Sequence, residues 1–216
     1  ALRWVQSEVR YFSVSFGESS HRPYAPADVI SRRYGDCKDK SYLLLTMLRA
    51  LNIEARPLLV SLRQPRGASL LLPTPYAFDH VIVDATIGGR SYYLDGTRFA
   101  QPVPLAALAP PMPRALARAA DARTTALSEL PAAPSSQASA ELEERITIKS
   151  FDEPPMLVAR NVLTGQAAEI IRFGWSQMTA EQRRQIANVG YEKRYPGAKT
   201  ASEPEFIDDV AANRVT

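Results

Sequence analysis

Arg32-Arg33-Tyr34-Gly35-Asp36-Cys37-Lys38-Asp39-Lys40-Ser41-Tyr42-Leu43-Leu44-Leu45-Thr46-Met47-Leu48-Arg49-Ala50-Leu51 contains the only cysteine of a 216-residue chain. Leu44, Met47, Leu48 and Leu51 recur at i, i+3, i+4 and i+7, which predicts a helix with one buried face. Cys37 then stands at the helix N-terminus. Unpaired backbone N–H groups and the positive end of the helix dipole stabilise a thiolate there, and Lys38 and Lys40 add positive charge nearby. Asp36 and Asp39 oppose that field, while Gly35 carries no side chain and leaves room for a substrate backbone. A small buried residue at a helix start accounts for the same pattern without chemistry. The remainder of the chain has to separate the two readings.

A cysteine nucleophile needs a base, usually histidine, and a third group to hold the imidazole in place. The chain has two histidines. His80 opens His80-Val81-Ile82-Val83-Asp84-Ala85-Thr86-Ile87, which Gly88-Gly89 joins to Arg90-Ser91-Tyr92-Tyr93-Leu94-Asp95-Gly96-Thr97. Two β-rich runs around Gly-Gly predict a hairpin. With Ile87 opposite Arg90, Val83 faces Leu94, Ile82 faces Asp95 and His80 faces Thr97. Asp95 becomes the diagonal neighbour of His80 on one face of the sheet, where Cβ atoms lie roughly 7–8 Å apart, within reach of a carboxylate and an imidazole. Val81, Val83, Ala85, Tyr92 and Leu94 form the opposite, core face.

The run Arg32 to Lys40, followed by Asp79-His80-Val81-Ile82-Val83 and Tyr93-Leu94-Asp95-Gly96-Thr97, resembles the transglutaminase-like superfamily. The similarity is to a bacterial envelope-protein branch with a Gly-Asp-Cys-Lys-Asp motif. It implies an α+β, papain-like core in which the cysteine helix packs on an antiparallel sheet that supplies histidine and aspartate. It further implies a catalytic triad of Cys37 as nucleophile, His80 as base and Asp95 as orienting acid, and a setting in the bacterial periplasm or cell envelope.

The rest of the first half fits such a core. Leu2, Val5, Gln6 and Val9 mark an amphipathic lead-in helix, Tyr11 to Phe16 an extended segment, Gly17 to Pro26 a loop, and Pro26 to Tyr34 a short helix. Asn52 to Leu62 ends the cysteine helix and enters a core strand. Acyl transfer also needs donors for the developing oxyanion. The Cys37 amide can supply one. Ser20-His21-Arg22-Pro23-Tyr24, upstream of the cysteine, holds candidates for the other, with His21 favoured because its imidazole can donate; a surface histidine is the plain alternative. Leu70, Leu71, Leu72, Tyr76 and Phe78 either line an apolar subsite or pack beneath a Pro-braced loop.

Composition divides the chain into a transglutaminase-like domain over 1–110, an Ala/Pro-rich linker over 111–137 and a small mixed strand and helix domain over 138–216. Arg114 to Asp121 reads as a helical piece within the linker. In the last part Glu141 to Ile148 and Met156 to Gly165 read as strands, and Gln166 to Phe173 and Thr179 to Val189 as helices, with Thr179 capping the second. The α/β segment so formed has neither cysteine nor histidine. Its expected role is support or recognition, and both chain ends read as cuts from a longer protein with further domains.

A net charge of +3, from 26 basic and 23 acidic residues, is scattered rather than striped, so no nucleic acid partner is expected. No run approaches the roughly 18 apolar residues of a transmembrane segment, and no signal peptide is present. One thiol and two distant histidines predict no metal site, and the chemistry calls for no cofactors. The expected function is cysteine-dependent acyl transfer on amide or peptide bonds of a protein or peptide substrate, as a protease, amidase or transglutaminase. The alternative is a catalytically inactive module of the same fold acting in protein–protein interaction.

Overall fold

Gly88 and Gly89 both have positive φ, 58° and 77°, as a two-residue type I′ hairpin turn requires. They join two strands of the computed structural model, which describes residues 1–13, 17–108, 110–121, 126–132 and 140–216. The chain divides into two compact units, one made of Ala1–Pro102 and Ala109–Ser135, the other of Val103–Leu108 and Ser136–Thr216.

The first unit begins with α1 (Leu2–Glu8), which buries Val5 and Gln6, and β1 (Arg10–Tyr11). Of the extended segment expected over Tyr11–Phe16, residues 14–16 lie outside the described residues. Next come α2 (Pro26–Arg32), β2 (Tyr34–Gly35) and α3 (Cys37–Ala50). Arg33 ends α2 in the left-handed region and returns its N–H to Val29, which turns the chain into β2 beside β1. The α3 face buries Leu43, Leu44, Leu45 and Leu48. Leu51, expected on that face, lies past the last helical residue and is exposed.

The helix packs on β3 (Glu54–Val60) and β4 (His80–Ile87). With β5 (Arg90–Leu94), β6 (Leu116–Ala119) and β7 (Ser128–Glu129) they form a five-stranded antiparallel sheet in the order β5-β4-β3-β6-β7. The hairpin register is the expected one as far as it runs, from Ile87 opposite Arg90 to Val83 opposite Leu94.

The stretch 111–137 differs from its reading as a linker, and Arg114 to Asp121 is not a helix. In its described part β6 pairs with β3, and Ala115, Ala117, Ala119 and Leu130 are buried with Leu58, Val60 and Ile82 in one cluster, flanked by Tyr93 and Met112. The physical reason is size and period. Alanines at every second position line one face of β6, on the same side of the sheet as Leu58, although alanine gives little strand propensity to detect. Both faces of β4 are consequently buried, Ile82 as completely as Val83.

The second unit contains β8 (Ala140–Thr147), β9 (Met156–Thr164), α4 (Gly165–Ser176), α5 (Ala180–Arg194), β10 (Asp208–Asp209) and β11 (Arg214–Val215), with antiparallel strands in the order β10-β11-β9-β8. Thr179 and Gln182 form a capping box on α5. The guanidinium of Arg172 is held by Asp208 at 2.8–2.9 Å and by Asn213 at 3.1 Å, which ties α4 to the last two strands. The whole chain is α+β, mixing helices with antiparallel sheets. Among the described residues no helix is long and apolar enough to cross a membrane.

Candidate functional site

Cys37 is the first residue of α3, and the way that helix is capped decides what its backbone offers. Asp36 turns its carboxylate onto the N–H groups of Lys38, at 3.0 Å, and Asp39, at 3.3 Å. Asp39 returns the contact by accepting the Asp36 N–H at 3.1 Å, completing a capping box. The cap passes over Cys37, whose N–H has no acceptor among the described residues. Asp39 also accepts from the Tyr24 N–H at 2.8 Å and from Arg32 at 2.9 Å, so one buried carboxylate anchors the upstream loop and α2 to the helix start.

Two sequence readings change here. A Cβ on Gly35 would come within 2.6 Å of the Asp39 Cβ, so the missing side chain makes room for Asp39 rather than for a substrate. The ammonium groups expected to strengthen the field at the sulfur are both engaged. Lys38 pairs with Asp36, and Lys40, fully buried on α3, donates to the Val9 carbonyl. Burial lowers the Lys40 pKa to about 8, with the Asp95 charge opposing the fall.

His80 is set by the start of β4. It pairs with Val60, while Asp79 donates its N–H to the Val60 carbonyl at 3.2 Å and accepts the Leu62 N–H at 2.7 Å, pinning the strand end. Asp95 follows the last paired residue of β5, and its Oδ2 lies 3.0 Å from His80 Nε2 in a buried contact. The other oxygen, Oδ1, accepts from the Thr97 N–H at 2.8 Å and the Thr97 hydroxyl at 2.7 Å. The Asp95 backbone is fixed as well: Gln6 of α1 donates to its carbonyl at 3.0 Å and interlocks with Gln101. Gly96 lets this turn lie close to Val5 and Lys40.

The electrostatics follow from these contacts. Burial works against an imidazolium, but the hydrogen bonds it donates to Asp95 and to Cys37, reinforced by the charge of each, outweigh it and push the His80 pKa up to about 10. Burial likewise works against the Asp95 carboxylate, and the His80 and Thr97 bonds overcome it and hold its pKa down. Since Nε2 is turned to Asp95, Nδ1 is the ring nitrogen left for the sulfur. Cys37 itself is only partly buried. Such a set can hold a charged imidazole between a carboxylate and a sulfur that remains open to reagents.

His80 and Asp95 are thus hydrogen-bonded, and Cys37 shares the imidazole. His21 is exposed in the loop before α2, outside this hydrogen-bonded set. Leu70, Leu72 and Tyr76 are also exposed and do not pack beneath their loop. Thr97 and Gln6 support the site without having been singled out for it, and Lys40 does so by anchoring Val9 rather than by charging the field at the sulfur. Thr97 alone carried a local signal, because aspartate commonly accepts from the backbone N–H two residues on. Among the described residues, no three or more His, Cys, Asp and Glu side chains gather as metal ligands.

Residues 1–94 are transglutaminase-like, matching the transglutaminase-like superfamily over that span. The match to the transglutaminase-like segment includes Cys37 and His80 and ends one residue before Asp95. Among solved structures, one described as a putative cysteine protease from Cytophaga hutchinsonii is 26% identical over 46% of this chain and 30% of that chain, with a TM-score of 0.34. The chain therefore spans under a third of that protein's length. No curated protein matches.

Proposed function

We propose that Cys37, His80 and Asp95 act as a catalytic triad for acyl transfer at an amide or peptide carbonyl. The observation that carries this reading is the buried imidazole of His80, held by Asp95 at 3.0 Å and bonded to the sulfur at the start of α3. The Cys37 sulfur attacks the carbonyl carbon, His80 delivers its proton to the leaving amine, and Asp95 keeps the ring oriented and stabilises its charge. Water then releases the acyl group in an amidase or protease, and an amine accepts it in a cross-linking enzyme. A protein or peptide substrate in the bacterial cell envelope is part of this proposal, on the strength of the Gly-Asp-Cys-Lys-Asp motif.

Iodoacetamide alkylation of Cys37 between pH 4 and 9 provides the test. In the parent the rate holds up at pH 6, where free thiols with a pKa of about 8.5 hardly react. In His80→Ala it falls at least about tenfold at that pH. A parent rate that follows an ordinary thiol, unchanged in His80→Ala, would discard the triad in favour of the inert interaction module.

A further inference from the structure

The β1 and β2 strands are only two residues each, yet their register sets a tyrosine alongside the run that leads into Cys37. They run parallel, with Tyr11 opposite Gly35, two residues before Cys37. The pairing is fixed by the Arg10 N–H on the Arg33 carbonyl at 2.9 Å and the Phe12 N–H on the Gly35 carbonyl at 3.0 Å. Lys40 anchors the same segment one step earlier through the Val9 carbonyl. Tyr11 is half exposed, so its side chain borders solvent rather than lying in the core.

From this placement we infer that Tyr11 is a catalytic residue, its phenolic O–H and the Cys37 N–H together forming the oxyanion hole. The inference rests on the acyl-transfer reading. Attack of the sulfur forms the S–C bond and moves the carbonyl π pair onto oxygen, which accepts from the two donors. Collapse returns that pair to the C=O bond and breaks the bond to the leaving group, which His80 protonates when it is an amine. The Cys37 N–H qualifies because the helix cap does not use it. The phenol qualifies because it keeps its proton. Burial raises its pKa, the charge of Cys37 raises it further, and those of Asp36 and Asp95 add to this against the Ser13 hydrogen bond. These same interactions put the hydroxyl within the field of the sulfur and the acid. His21, the donor favoured from the sequence, has no comparable link to the site.

The experiment compares acylation with alkylation in the whole chain, because only acylation builds an oxyanion. p-Nitrophenyl acetate is the acyl probe, read as the pre-steady-state burst of p-nitrophenolate, and iodoacetamide is the alkylating probe. Tyr11→Phe, which deletes one oxygen, slows the burst about 100-fold and leaves alkylation within about twofold of the parent. Cys37→Ala abolishes both. A Tyr11→Phe burst within about threefold of the parent overturns the assignment while the triad stands. A matching fall in both rates also overturns it, since Tyr11 would then act on the thiol and not on the oxyanion. A parent that reacts with iodoacetamide but gives no burst overturns the acyl-transfer reading itself.

Discussion

His80 is a cation buried between two acceptors, and its raised pKa makes it a stability device as well as a candidate base. A group whose pKa is higher in the folded state contributes fully below its unfolded value, about 6.5, and that contribution is lost as pH rises toward about 10. Lys40 acts in the opposite sense, since its lowered pKa adds stability as pH rises from about 8 to its unfolded value of about 10.5. Asp95, whose pKa is held down, contributes fully above its unfolded value of about 3.8 and loses that contribution only as pH falls below it. Between pH 6 and 8 the trend among these shifted groups is therefore that of His80. With the thiol's own titration removed by Cys37→Ala, urea unfolding midpoints should fall across this interval, and adding His80→Gln should flatten the fall. A Cys37→Ala midpoint that rises from pH 6 to 8 would contradict the charged imidazole.

At the scale of elements, the N-terminus of α3 depends on two buried carboxylates. Asp36 satisfies two N–H groups and Asp39 ties in Tyr24, Arg32 and Asp36. Asp36→Ala should lower stability by about 1–2 kcal/mol, the usual cost of losing a side-chain cap. Gly35→Ala drives a Cβ into the Asp39 side chain and should cost about 1–3 kcal/mol. Chemical denaturation measures both losses, and a neutral Gly35→Ala would mean that Asp39 has somewhere else to go. The hairpin was readable in advance because its register is a local matter: Gly-Gly fixes the turn, the turn fixes the pairing, and His80 and Asp95 meet as a result. Tyr11 was not readable in the same way. A parallel pair of two-residue strands joins segments separated by a loop and a helix, and such short strands leave no periodicity in the sequence.

Over the whole molecule, the first unit continues well past the hairpin that completes the candidate site. Ala115, Ala117, Ala119 and Leu130 cover Leu58, Val60 and Ile82, so a chain cut after residue 110 would leave those side chains bare. Such a fragment should be aggregation-prone and bind hydrophobic dyes, whereas a fragment of residues 1–135 should fold and keep its thiol reactive. Circular dichroism and dye fluorescence distinguish them, and a well-folded 1–110 fragment would refute the role given to the alanine strip. Ile82→Ala tests the same cluster from the other side, with an expected loss of about 2–5 kcal/mol. By itself the sequence determined the cysteine at a helix start, the hairpin carrying histidine and aspartate, and the two long strands and capped helix of the second unit. All of these are written in local periodicity, turn residues and caps, which act over a few residues. Only the tertiary structure decided that Gly35 makes room for Asp39, that Lys38 and Lys40 are already bound, that an Ala/Pro-rich stretch extends the sheet, and that Tyr11 pairs with Gly35 just ahead of the cysteine. Each of those depends on segments distant in sequence packing together, and side-chain identity alone does not specify which segments meet.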